Sequence, residues 1–115
     1  MGKDLNARTR EFSLRIIPLC VSLPSNRLGD VGGRQLLKAG TSAGAYFRES
    51  LRARSKGEYV AKLNGGLMEL EETFYWLELV EGAQLVSSEK PHALEQETNE
   101  LIAIFVSLIN KWRRT

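Results

Sequence analysis

The chain has 115 residues, 43% hydrophobic and 26% charged, with three prolines and a formal net charge of +2. That length holds one domain with a real core and excludes two, and the abundance of Leu, Ala, Glu, Lys and Arg with few β-branched runs argues against a sheet-built fold. No apolar run approaches the ~20 residues of a membrane helix; the N-terminal MGKDLNARTREFSL has no signal-peptide core, and a lone cysteine, Cys20, fits a reducing compartment, so a cytoplasmic protein is expected.

Phe12, Ile16, Leu19 and Leu23 recur at 4, 3 and 4 residues and predict a first helix over about 8–23. Pro18 lies inside it and removes one backbone hydrogen bond, costing ~3 kcal/mol in an unsupported helix. The apolar stripe continues past it on the same face, so a kink is expected, not a break. Residues 1–7 are expected to form a flexible tail. Pro24, Ser25 and Asn26 end the helix. A second helix follows over about 30–54, with Asp30 as its candidate N-cap. Leu36, Gly40, Ala43, Phe47 and Ser50 form its inner stripe. A helix-interior glycine costs ~1 kcal/mol relative to alanine, which points to close approach of a neighbouring element. A Walker-type phosphate loop is excluded, since AGTSAG lacks GxxxxGK[ST] and its strand-to-helix context.

Ser55-Lys56-Gly57-Glu58 is a capping box that opens a third helix at 56 with almost no loop before it. Val60, Leu63, Leu67, Leu70, Phe74 and Leu77 form its stripe, and Gly82 is the expected terminator near 81. Ser87 or Ser88 caps a fourth helix over 89–113, whose stripe is Leu94, Thr98, Leu101, Phe105, Leu108 and Trp112. The predicted architecture is therefore all-α, a single antiparallel up-and-down four-helix bundle.

Charge is distributed unevenly. Residues 1–62 carry twelve Lys/Arg against five Asp/Glu, and residues 63–115 carry four against nine. Such asymmetry marks either a polyanion-binding face or mutual neutralisation within the bundle or between subunits. Turning helix two at 100° per residue sets Arg34, Lys38, Arg48, Arg52 and Lys56 opposite its apolar stripe. With Arg54 these form the candidate nucleic-acid-binding surface, near Tyr46, Phe47 and Tyr59. Glu71 and Glu78, two turns apart, are too far from each other to share a proton and are expected to pair with arginines of helix two, with Glu49 in the same polar network. Met68, Tyr75, Trp76 and Leu79 on helix three, and Ile102, Val106 and Ile109 on helix four, exceed what a monomeric bundle needs and form the candidate oligomer interface.

Catalytic signals are sparse. His92 is the only histidine, and Glu89-Lys90-Pro91-His92 is one ExxH where a di-iron bundle needs two. No nucleophile elbow, CxxC or HExxH motif occurs, and no cofactor, metal or small-molecule substrate is indicated.

From Phe12 onward the chain resembles the 23S rRNA intervening-sequence proteins, also labelled S23 ribosomal proteins. The resemblance rests on RIIPLCVSLP, GRQLLKAGTSAGAYFRESLRARSKGEYVAKL, EETFYWLEL and LIAIFVSLI. It implies an antiparallel four-helix bundle assembled as a homopentameric ring. It also implies kinship with accessory proteins of diversity-generating retroelements, which bind nucleic acid and a reverse transcriptase. The expected function is a non-enzymatic oligomeric bundle that binds RNA or DNA through helix two; the alternative is an assembly scaffold without nucleic acid.

Overall fold

In the computed structural model, which describes residues 4–113, the chain forms four helices: α1 (Leu5–Ser22), α2 (Arg27–Leu51), α3 (Lys56–Gly82) and α4 (Glu89–Arg113). Each packs on its chain neighbours and α4 returns to α1, while the backbones of the diagonal pairs α1/α3 and α2/α4 stay apart. The result is an antiparallel four-helix bundle measuring 47 × 22 × 20 Å.

Helix starts follow side-chain caps. Asp4 accepts a hydrogen bond from the Asn6 amide at 3.0 Å and starts α1 three residues earlier than the apolar stripe suggests. Residues 5–7 are therefore helical; positions 1–3 of the expected tail lie outside the described residues. The helix runs unbroken through Pro18. Asn26, not Asp30, caps α2, accepting from the Gly29 amide at 2.8 Å, and Asp30 instead lies in the first turn, where a carboxylate suits the helix dipole. Gly29 is required here: an added Cβ would lie 1.9 Å from the Pro24 carbonyl oxygen.

The α2–α3 corner holds the capping box. Ser55 accepts from the Glu58 amide at 3.0 Å, and the Glu58 carboxylate accepts from the Arg54 amide at 2.7 Å, one residue before the cap. The helix α2 ends at Leu51, three residues short of expectation, because the Arg52 and Ala53 amides turn back to Glu49 and Ser50. At the far end of α3, Gly82 is the last helical residue, and the left-handed conformation falls on Gln84, with φ 58°.

The core is built from the inner faces of all four helices, including Phe12, Ile16, Leu36, Leu63, Leu70, Leu77, Leu101 and Phe105. Small residues let the helices close. A Cβ on Gly40 would lie 2.9 Å from Ile16, and one on Gly66 would lie 2.7 Å from Phe105. Phe47 and Phe105 meet across the core with ring centroids 6.1 Å apart. The α3 core face is rotated from the predicted one: Gly66, Thr73 and Val80 are buried, whereas Leu67 and Phe74 sit half-buried at its edge. Leucine spacing alone missed this because a glycine and a threonine carry the face. The Thr73 hydroxyl satisfies itself on the Glu69 carbonyl at 2.7 Å. The α1–α4 seam is the lightest, and Arg8 spans it, pairing with Glu97 at 2.8 Å and Glu100 at 2.6 Å.

Candidate nucleic-acid interface

The six cations singled out from the sequence are all exposed: Arg34, Lys38 and Arg48 along α2, and Arg52, Arg54 and Lys56 at its corner with α3. They stand outward because Leu36, Gly40, Ala43 and Phe47 turn the opposite face into the core. Among the described residues none of the six forms an ion pair. Arg48 is braced by its Nε donating to the Asn6 side chain at 2.9 Å, which leaves its terminal nitrogens outward. Of the aromatics near the stripe, Phe47 is core, and Tyr46 lies over Gly65, where a Cβ would come within 2.6 Å of its ring. Neither offers a free stacking face. Tyr59 is half-buried and takes the Trp112 ring edge-to-face at 5.5 Å.

That contact shows what sequence reasoning missed. Because α4 runs antiparallel to α3, its last turn returns to the end where α3 begins, and Trp112, between Lys111 and Arg113 in the chain, meets Tyr59. The signal was available: in an up-and-down bundle the end of the fourth helix must lie beside the second corner.

Within the chain, the expected pairing of Glu71, Glu78 and Glu49 with arginines of α2 does not form among the described residues. Glu49 pairs with Lys62 of α3 at 2.8 Å, a bond that raises the Lys62 pKa. Glu71 and Glu78 are exposed, and among the described residues neither pairs with an arginine of α2. The flank of α3 that faces α2 is occupied by Lys62, Gly65 and Gly66, so these two glutamates lie elsewhere on the helix. Glu78 instead joins Glu81 and Glu95 around a groove at the opposite end of the bundle. Burial, then the hydrogen bond and charge of Glu81 and the charge of Glu78, push Glu95 up to about 7.

The candidate oligomer residues divide. Met68, Tyr75 and Leu79 are exposed at 70%, 58% and 39%, and Val106 at 38%. Ile109 is core, 3% exposed, because α4 turns it toward the interior in line with Leu101 and Phe105. Trp76 and Ile102 are half-buried and pack against the core. Sequence reasoning overlooked a further apolar group on α1 and α2: Leu14, Ile17, Val21 and Leu37.

Among the described residues the remaining candidates stay apart from one another. His92 is exposed in the first turn of α4, its ring nitrogen 3.5 Å from the Gln96 amide nitrogen. Burial pushes the Cys20 thiol up to about 11, which disfavours the reactive thiolate. No described helix is long and apolar enough to cross a membrane.

The fold defines the class, an antiparallel four-helix bundle. The chain belongs to the 23S rRNA-intervening sequence protein family, whose profile matches residues 4–107. It is similar to a crystal structure of a protein with unknown function from the S23 ribosomal protein family of Bacteroides thetaiotaomicron. The two are 32% identical, with a TM-score of 0.86, and the match covers 92% of this chain and 98% of that one. No curated protein matches the chain.

Proposed function

We propose that the protein is a non-enzymatic nucleic-acid-binding bundle that takes the phosphate backbone of RNA or DNA along the outer side of α2 and its corner with α3. One observation carries this reading: Arg34, Lys38, Arg48, Arg52, Arg54 and Lys56 are exposed and unpaired among the described residues, although the chain has nearly as many acids as bases. Cations that neutralise no internal carboxylate are free to displace counterions from phosphates. A titration of labelled oligonucleotide at about 50 and about 200 mM salt tests it. Binding should weaken with salt, and Arg52→Glu should reduce both the affinity and the salt slope, by about one phosphate contact. Affinity that is absent, or insensitive to salt and to Arg52→Glu, overturns the reading.

A second reading, assembly with further copies of the chain, is supported by the paired apolar faces. Met68, Tyr75 and Leu79 lie on one stripe of α3 beside Glu71, Glu72 and Glu78, and Leu14, Ile17, Val21 and Leu37 lie on α1 and α2 beside Arg10, Arg34 and Lys38. Opposite charge around two different apolar faces favours a head-to-tail contact, the kind from which rings are built when the rotation between copies closes, such as the pentamer the family resemblance implies. Light scattering should give a mass several times 12.9 kDa, reduced by Met68→Asp. A stable monomer rejects the assembly and leaves phosphate binding to stand alone.

A further inference from the structure

The basic stripe alone would serve any polyanion, single- or double-stranded. What distinguishes one end of it is the aromatic pair. Tyr59 is one turn into α3 and Trp112 is in the last turn of α4; the two rings meet edge-to-face at 5.5 Å, about one turn along from the buried Leu63 and Ile109. Trp112 is 40% exposed.

Cations from three segments lie at this end of the bundle. Arg52 and Arg54 lie in the corner, Lys56 precedes Tyr59 by one turn on the same helix, and Lys111 and Arg113 flank Trp112 on either side along α4. All five are exposed and outside the ion pairs of the described residues. The corner itself is held by the Ser55 and Glu58 hydrogen bonds, so Arg54 and Lys56 are presented by a fixed backbone. A flat π-face set among guanidinium and ammonium groups matches an unpaired base with phosphates on both sides. A duplex keeps its bases stacked inside and can use only the cations.

We infer that this end of the bundle is a single-strand site, at which a base of RNA or DNA stacks on Trp112 while Arg52, Arg54, Lys56, Lys111 and Arg113 hold the adjoining phosphates. The inference rests on the phosphate-binding reading above and adds to it the strandedness of the ligand and the residues of α4. Lys111 and Arg113 extend the site beyond the α2 stripe. Both thymine and adenine should stack, because the contact reads a ring face and not a hydrogen-bonding edge.

The test uses the full chain with Trp76→Phe, which leaves Trp112 as the only tryptophan. Oligo(dT) of about a dozen nucleotides, a length within the usual single-strand site sizes, is titrated while indole fluorescence is followed, with a duplex of the same length alongside. The single strand should quench Trp112 and bind more tightly than the duplex. Trp112→Leu keeps an apolar cover over Ile109 but removes the stacking face; it should weaken single-strand binding by about fivefold or more, with duplex binding and the salt slope unchanged. Lys111→Glu with Arg113→Glu, at exposed positions that leave the core intact, should weaken binding independently. Equal affinity for the two strand forms, with no quenching and no effect of Trp112→Leu or of the α4 charge reversals but loss on Arg52→Glu, overturns the single-strand site and leaves phosphate binding intact. Absence of binding by either strand form overturns both.

Discussion

At the end of the bundle where α2 meets α3 and α4 finishes, Arg52, Arg54, Lys56, Lys111 and Arg113 are exposed and outside the ion pairs of the described residues, and Tyr59 meets Trp112; at the far end, Glu78, Glu81 and Glu95 line a groove in which burial and Glu81 push Glu95 up to about 7. The two ends also turn the chain by different means. The corner is fixed by hydrogen bonds from Ser55 and Glu58. The far α1–α2 turn is fixed by the Asn26 cap and by a steric fit, Gly29 lying directly under the Pro24 carbonyl. The comparison separates two kinds of charge crowding. Arginine and lysine keep their charge, so repulsion among them persists until an anion arrives. Glutamates crowded in a groove relieve their repulsion by taking up a proton. Among the described residues the cations of the basic end therefore keep their charge without a carboxylate partner, which is what supports the proposal that an anion is met there.

The largest expected effect comes from the steric turn. Gly29→Ala drives a methyl into backbone, which has no rotamer to escape by, and should destabilise the fold by about 3 kcal/mol. Thermal unfolding measures it; a loss under about 0.5 kcal/mol would show that the Pro24–Gly29 turn adjusts freely. Ser55→Ala removes the cap at the other end and should cost about 1 kcal/mol. Its affinity for oligonucleotide should fall as well, since the corner backbone is then less fixed; an unchanged affinity would show that corner rigidity is not used in binding.

The smallest effect is pH-dependent and belongs to the acidic end. Folding raises the Glu95 pKa from 4.5 to about 7, so the folded state holds the proton more tightly than the unfolded chain. Its contribution to stability is complete below pH 4.5 and is lost as pH rises toward 7. Glu95→Gln should therefore match the wild type near pH 4 and be the more stable protein above pH 7, with denaturation midpoints compared across that range. Equal midpoints at every pH would show that Glu81 and Glu78 do not crowd Glu95. The variant should leave oligonucleotide binding unchanged, because it lies at the other end.

Much of the fold was legible because hydrophobic spacing reports which face of a helix is buried. The α2 stripe from Leu36 to Ser50 is buried in full, and α4 keeps its predicted bounds of 89–113. What was not legible depends on neighbours. Gly66 joins the α3 core face because Phe105 fills the space above it, and Leu67 is displaced to the edge. Asn26 outcompetes Asp30 as a cap because the turn after Pro24 already presents it to the Gly29 amide. The same holds for the candidate site. Periodicity gave the outward stripe of α2, since that needs only one helix. The meeting of Trp112 with Tyr59 needs the topology, and the failure of Glu71 and Glu78 to reach α2 needs the flank that Lys62 and the paired glycines occupy.

The central claim is that nucleic acid meets this protein at the basic, aromatic end. It is tested most directly by following backbone amide resonances while oligo(dT) is added at low salt. Shifts are expected at Arg34 and Lys38 along α2, most strongly at Arg48 to Tyr59 and at Lys111 to Arg113, together with the Trp112 indole N–H, with silence around Glu78, Glu81 and Glu95. Shifts at the acidic end, or none at the Trp112 indole and the corner, would contradict it.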